Sequence, residues 1–197
     1  MKICLINAPS SAEFYDSVEF KDAGIRRATC SPQLGILSVA ALTERLGCVT
    51  SVYDSNRAFF NFADSVGEAH LTEFAGVVAR QIGAIDAEIY GFGSICSAYP
   101  LTLRIARLVK AIRPNAIILM GGPQASVVAG PTLRAFPFVD FILRGETEES
   151  LPIFLDELSG RGRLDRVPGL AYRSVWGIEL NPSAAVIGDL DALPFPA

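Results

Sequence analysis

The sequence predicts a doubly wound α/β fold with a five-stranded parallel sheet, followed by a small hairpin and a proline-rich linker. Three observations predict it. Apolar residues come in short runs such as Ile117-Ile118-Leu119-Met120, which suit strands covered by helices on both faces. The runs alternate with segments of helical spacing, the pattern of parallel strands joined by right-handed crossovers. Two runs end in small residues, Gly91-Phe92-Gly93-Ser94-Ile95-Cys96 and Met120-Gly121-Gly122-Pro123-Gln124-Ala125-Ser126. That places a rim of little bulk at the carboxyl ends of neighbouring strands, where ligands bind in open α/β sheets.

The elements follow in order. The first strand is Ile3 to Asn7, and a long polar loop runs from about Ser10 to Cys30. Ser31-Pro32 reads as an N-cap and first-turn proline, and the helix behind it, Leu34 to Leu46, stops at Gly47. The second strand is Val49 to Asp54, alternating and β-branched. Residues 55 to 66 read as a polar-aromatic loop with three phenylalanines, and a helix is expected from about Glu68 to Ile82. The third strand is Ile89 to Phe92. Leu101, Ile105, Leu108, Val109 and Ile112 then mark one face of a helix, with Arg104, Arg107, Lys110 and Arg113 opposite. The fourth strand is Ala116 to Met120. A helix from about Ala125 to Ala135, broken at Pro131, leads to a fifth strand, Val139 to Leu143. The last helix carries the stripe Leu151, Phe154, Leu155 and Leu158. The expected strand order is 2-1-3-4-5, Rossmann-like in the flavodoxin manner. Leu170 to Arg173 and Ile178 to Leu180 form the hairpin, and Leu190 to Pro196 reads as a linker at a domain boundary. The expected division is 1–160 for the α/β domain and 161–197 for hairpin and linker.

Composition narrows the function. The 197 residues carry a net charge of -4, with a pI of about 5.1 and a mean hydropathy of +0.35. An acidic chain with scattered arginines lacks the basic face that nucleic acid requires. No apolar run approaches the roughly 20 residues of a membrane span, and the start lacks a leader pattern. A cytoplasmic protein is expected. Cys4, Cys30, Cys48 and Cys96 form no CxxC or CxxxCxxC spacing, so neither a metal nor an iron–sulfur site is expected.

At this point the residues resemble a known family. The first strand and long loop, Leu34-Gly35-Ile36-Leu37, Asp54 ending the second strand, Ser94, and Gly121-Gly122 stand in the order of the cobalamin (vitamin B12)-binding domain. More narrowly, the chain resembles the version at the amino terminus of cobalamin-dependent radical S-adenosylmethionine (SAM) enzymes. Leu143-Arg144-Gly145-Glu146-Thr147-Glu148-Glu149 matches that group's turn after the fifth strand, and Val167 to Arg173 and Leu190 to Pro196 match its approach to the next domain. The resemblance implies that cobalamin is the ligand, with a radical SAM barrel in cis holding a [4Fe–4S] cluster and SAM beyond this chain. The chain alone is expected to have no turnover. The parent is expected to be a radical SAM methyltransferase or a related enzyme. The family's serine matching Ser94 bonds the nucleotide tail of cobalamin. The cofactor-contacting candidates are Pro9, Ser10, Asp54, Ser94, Ile95, Cys96, Ser97, Gly121, Gly122, Pro123, Gln124, Gly145 and Glu146.

Physical reasoning runs beside that resemblance. A broad disc with a nucleotide tail needs an open platform and a slot walled by small residues. Ser94 and Ser97 carry hydroxyls to donate into such a slot, and Gly121 and Gly122 remove side chains from its wall. Relatives that ligate cobalt from below carry Asp-x-His-x-x-Gly after the first strand, whereas Ser10 to Cys30 contains no histidine. Cobalamin is therefore expected with its tail inserted and no histidine ligand. The only histidine, His70, reads as a surface or packing residue. Each candidate also has a structural role to weigh: Ser94 as a cap, Gly121-Gly122 as a tight turn, Glu146 at a helix start, Asp54 as a cap, Arg26-Arg27 as solvated charge. Phe59, Phe60 and Phe62 stand equally for a small core or a patch that docks the barrel. Two other readings stay open. One keeps the fold without cobalamin, as a docking or substrate-recognition module. The other is a flavin- or nucleotide-binding domain, disfavoured because Ala8-Pro9-Ser10-Ser11 has no glycine cluster and Gly91-Phe92-Gly93 does not continue as GxGxxG.

Overall fold

A computed structural model describes residues 1–10, 33–66, 71–160, 162–183 and 187–197. Arg26, Arg27, Cys30, Ser31, Pro32 and His70, and most of the Ser10 to Cys30 loop, lie outside the described residues. Five parallel strands, β1 (Lys2–Ile6), β2 (Val49–Tyr53), β3 (Ile89–Gly93), β4 (Ile117–Gly121) and β5 (Phe141–Leu143), take the predicted order. Their register runs Ile3↔Ile89, Leu5↔Gly91, Gly91↔Leu119 and Gly93↔Gly121.

The hairpin does not stand apart. β6 (Leu170–Ser174) pairs antiparallel with β5, and β7 (Gly177–Leu180) with β6, so the sheet has seven strands rather than five. Arg144 and Arg173 secure it. The Arg144 N–H donates to the Gly169 carbonyl at 3.1 Å, and its guanidinium reaches the carbonyls of Gly169 and Asn181. Arg173 donates to the carbonyls of Val139 and Phe136 at 2.6 and 2.9 Å.

Helices cover both faces. α1 (Leu34–Arg45) and α7 (Thr147–Ser159) lie on one. On the other lie α2 (Ser55–Val66), α3 (Leu71–Ala84), α4 (Tyr99–Ile112) and α6 (Ala129–Ala135), with the short α5 (Pro123–Val127) at the carboxyl edge. Strand alternation sorts the core accordingly. Ile3, Leu5, Ile89, Leu119 and Leu143 face α1 and α7; Cys4, Ile6, Tyr90, Phe92, Ile118, Met120 and Ile142 face the larger cluster. Among the described residues no helix is long and apolar enough to cross a membrane.

Several boundaries differ from the sequence expectations, each for a local reason. α1 begins at Leu34 with Gln33 as its N-cap; it stops as expected, with Gly47 at φ +79°. Residues 55–66 are a helix, not a loop. Phe59, Phe60 and Phe62 are buried, and Phe59 meets Phe74 edge-on at 5.1 Å between ring centroids, so these rings belong to the main core and form no docking patch. The helix after β4 breaks at Val128, not Pro131. Pro131 falls in the first turn of α6, where its missing N–H has no intrahelical partner to lose. On α4 the buried face is centred on Thr102, Ile105, Ala106 and Val109, and Ile112 is exposed. β5 is shorter than expected because Val139 and Asp140 turn into it: Val139 N–H bonds the Phe136 carbonyl at 3.1 Å, and Lys110 pairs with Asp140 at 2.8 Å.

Candidate functional site

A cleft of about 380 Å³ opens at the carboxyl edge and runs down the sheet face under α1 and α7. Its floor is the row of strand residues pointing to that face. β1 gives Asn7, Leu5 and Ile3; β3 gives Gly93, Gly91 and Ile89; β4 gives Gly121 and Leu119. From Asn7 down to Ile3 is four strand steps, roughly 13 Å. The upper floor is bare at Gly93 and Gly121, whereas over Gly91 the Leu5 side chain closes in, its Cδ2 3.0 Å from where a Cβ would stand. Gly91 and Gly93 lie two apart on one strand and therefore on one face, and Gly121 sits beside Gly93 in register. A Cβ built at Gly121 would meet nothing closer than the Leu143 carbonyl at 3.8 Å, and one at Gly93 nothing closer than the Ile6 carbonyl at 3.5 Å. The roof is Ile36 and Val39 on α1 and Leu151 and Leu155 on α7. These side chains follow ordinary helical spacing, but Ile36 and Val39 stay only partly buried because the space beneath them is open.

The rim is held by a clasp. Ser94 is 2% exposed. Its hydroxyl donates to the Gly121 carbonyl at 2.7 Å and accepts the Ala125 N–H at 2.9 Å, tying the loop after β3 to the turn after β4. Gly122 makes that approach possible. It sits at φ +92°, and a Cβ there would lie 2.6 Å from the Ser94 carbonyl oxygen and 2.9 Å from its nitrogen. A second link runs from Gly122 to the turn after β5: Ser126 Oγ donates to the Gly122 carbonyl at 2.9 Å and accepts the Gly145 N–H at 3.1 Å. Glu146, N-cap of α7, accepts the Ile187 N–H at 2.9 Å. The segment that follows crosses to α1, where Arg45 donates to the Ala192 carbonyl at 3.1 Å and Ala197 N–H to the Leu37 carbonyl at 3.2 Å.

The structure gathers Ser94, Ile95, Gly121, Gly122, Pro123, Gly145 and Glu146 at the cleft mouth. Pro9, Ser10, Cys96, Ser97 and Gln124 are not among the residues lining it; Cys96 and Ser97 are exposed on the loop after β3. Two expected details change. The Ser94 proton goes to the Gly121 carbonyl rather than into the slot. Gly122 is small because the Ser94 backbone is there, whereas Gly121 leaves real space. The hollow also lies under the helices, across the face of β1, β3 and β4, rather than between two strands. From the sequence, Ile36 stood only in the Leu34–Leu37 match and Leu151 and Leu155 only in a helix stripe; these and Val39 were not expected to line the site. Gly93 and Gly121 at neighbouring strand ends were the available signal for the bare floor.

Asp54 does different work. Its Oδ1 accepts the N–H groups of Asn56 and Arg57 at 3.0 and 3.1 Å, so it caps α2. Asn7 joins this to β1, donating to Asp54 at 3.1 Å and accepting the Ser55 N–H at 2.6 Å. Asp54 lines a separate recess with Tyr53, Arg57 and Gln81. Asp54→Ala is expected to cost about 1 kcal/mol, the usual worth of an N-cap, read as a lower urea midpoint. Away from the cleft, burial pushes the Cys4 thiol up to about 11 and the Tyr53 phenol up to about 12. Both stay protonated near neutral pH and take no part in the cleft.

A family model described as the B12 binding domain matches residues 21–155. The chain belongs to the B12-binding domain family. Proteins similar to this B12-binding domain include methyltransferases. It is 26% identical over 199 residues to the uncharacterized methyltransferase PH0819 of Pyrococcus horikoshii, covering 100% of this chain and 38% of that protein. It is 25% identical over 122 residues to the cobalamin-dependent radical SAM methyltransferase TokK of Streptomyces tokunonensis, covering 61% of this chain and 17% of that protein. Its fold matches the structure of the cobalamin-dependent S-adenosylmethionine radical enzyme OxsB with aqua-cobalamin and S-adenosylmethionine bound. The TM-score is 0.70 at 16% identity, covering 99% of this chain and 24% of that one. The chain thus spans well under half the length of these proteins.

Proposed function

We propose that this B12-binding domain holds cobalamin for a radical SAM reaction, with the nucleotide tail lowered into the cleft and no histidine on the cobalt. The observation that carries the reading is the cleft. Its bare upper floor at Gly93 and Gly121 admits a bulky group, and below it the cleft is lined down to Ile3 by apolar side chains suited to a flat base. Its volume is within the roughly 300–1,000 Å³ usual for small-molecule sites. The residues present fit the cofactor. Gly93 and Gly121 would border the tail, and Ser94 holds the two rim loops at a fixed spacing. Cys96 and Ser97, with Pro9 and Ser10 after β1, would meet the corrin disc outside the cleft. Gly145 and Glu146 frame the side toward α7. Bound cobalamin supplies a cobalt centre able to carry a methyl group; the protein supplies position and exclusion of water.

The histidine-free reading rests on the sequence, since the loop from Ser10 to Cys30 contains none. The shares of the relatives that the chain covers support a longer protein in which the segment after β7 leads to a barrel carrying a [4Fe–4S] cluster and SAM. The purified chain mixed with hydroxocobalamin and desalted is expected to retain about one equivalent with a base-off absorption spectrum. Loss of all colour on desalting from saturating cofactor contradicts the proposal.

A further inference from the structure

The lower half of the cleft is apolar, and among the described residues it has no free side-chain hydrogen bond to offer. Its walls there are Ile3, Ile89, Leu119, Val39, Leu151 and Leu155. The one side-chain polar group placed that deep among the described lining residues is Thr43, and it is satisfied: its hydroxyl lies 2.8 Å from the Ala40 carbonyl and 2.8 Å from the Thr50 hydroxyl. The strand backbone beneath is paired within the parallel ladder. The polar lining residues with room to respond, Gln33, Glu146, Thr147 and Glu148, stand at the mouth, where α1 and α7 begin.

We infer that the cleft selects corrinoids by their lower base, accepting dimethylbenzimidazole and disfavouring adenine; this rests on the tail-inserted reading above. Dimethylbenzimidazole presents two methyl groups and an apolar ring edge to Ile3, Ile89 and Leu155, which return dispersion contact for lost water. Adenine brings an amino group and additional ring nitrogens. Each leaves water for a site where no donor or acceptor waits, and an unpaired buried polar group costs free energy that nothing there returns. An apolar pocket rejects an added polar group by a limited factor, typically up to about a hundredfold. The expected discrimination is therefore between tenfold and a hundredfold.

The test needs no mutant. The purified chain is titrated with cobalamin, with the adenine-bearing cobamide and with cobinamide, which has no nucleotide, following the corrin absorption. Cobalamin is expected to bind at least tenfold more tightly than the adenine cobamide, a gap of about 1.4 kcal/mol, and more tightly still than cobinamide. Equal affinity for cobalamin and the adenine cobamide, both well above cobinamide, overturns the selectivity and leaves tail insertion standing. Cobinamide binding as tightly as cobalamin overturns tail insertion itself, as does failure of all three to bind.

Discussion

Gly121→Leu is expected to abolish cobalamin binding, by a hundredfold or more (about 2.7 kcal/mol), in a protein that still folds. Gly121 ends β4 beside Gly93, at the mouth of the cleft, and its backbone is not in the left-handed region. A Cβ there finds ordinary space, its nearest neighbour being the Leu143 carbonyl at 3.8 Å. The added isobutyl group therefore extends into the opening without distorting the strand, and leucine suits a strand end better than glycine does. Gly121→Ala serves as the graded control: it stays in van der Waals range and is expected to change affinity only a few-fold. Titration with hydroxocobalamin reads the binding, and urea unfolding checks that stability has moved by less than about 1 kcal/mol. Normal affinity in the leucine variant means that the tail does not pass Gly121.

Gly122→Ala is expected to do the reverse, lowering stability by roughly 3 kcal/mol before any ligand is added. Two costs combine. A non-glycine residue at φ +92° is strained by about 1–3 kcal/mol. The new methyl would also sit 2.6 Å from the Ser94 carbonyl oxygen, and crowding a packed site costs a further 1–3 kcal/mol. Neither clashing Ser94 atom can swing aside, because both are backbone and the Ser94 hydroxyl is tied to Gly121 and Ala125. The midpoint of urea unfolding measures the loss. Wild-type stability in this variant contradicts the close approach of the two loops. Adjacent glycines thus separate two roles, one keeping the cleft open and the other letting its rim close up. Bulk at Gly122 tests the fold, and bulk at Gly121 tests the site.

Much of this was legible in the residues. The alternation of apolar runs and helical stripes yields the order of the five parallel strands, because right-handed crossovers leave few alternatives. The addition of β6 and β7 to the sheet was not legible, since the docking of β6 on β5 is secured by Arg144 and Arg173 reaching carbonyls distant in sequence. Helix α2 was hidden by its composition. Serine, asparagine and phenylalanine are indifferent helix formers, and burial of its rings beside Phe74 overrides that preference. Asp54, weighed as a cap, was not connected with a helix at 55–66, whose start it holds. At the site, glycine and serine disclosed the rim because small residues at strand ends have few other reasons to cluster. The roof could not be foreseen. Ile36, Val39, Leu151 and Leu155 have the spacing of any core-facing helix, and sequence periodicity does not distinguish a side chain that packs from one that overhangs a cavity.

The central claim is that the cleft under α1 and α7 receives the nucleotide of cobalamin. A crystal structure of the chain grown with cobalamin tests it most directly. Density for the base is expected past Gly93 and Gly121 and beneath Leu151, with the corrin ring across the rim at Ser97. Density showing the base folded back onto the cobalt, with the cleft holding only solvent, contradicts it.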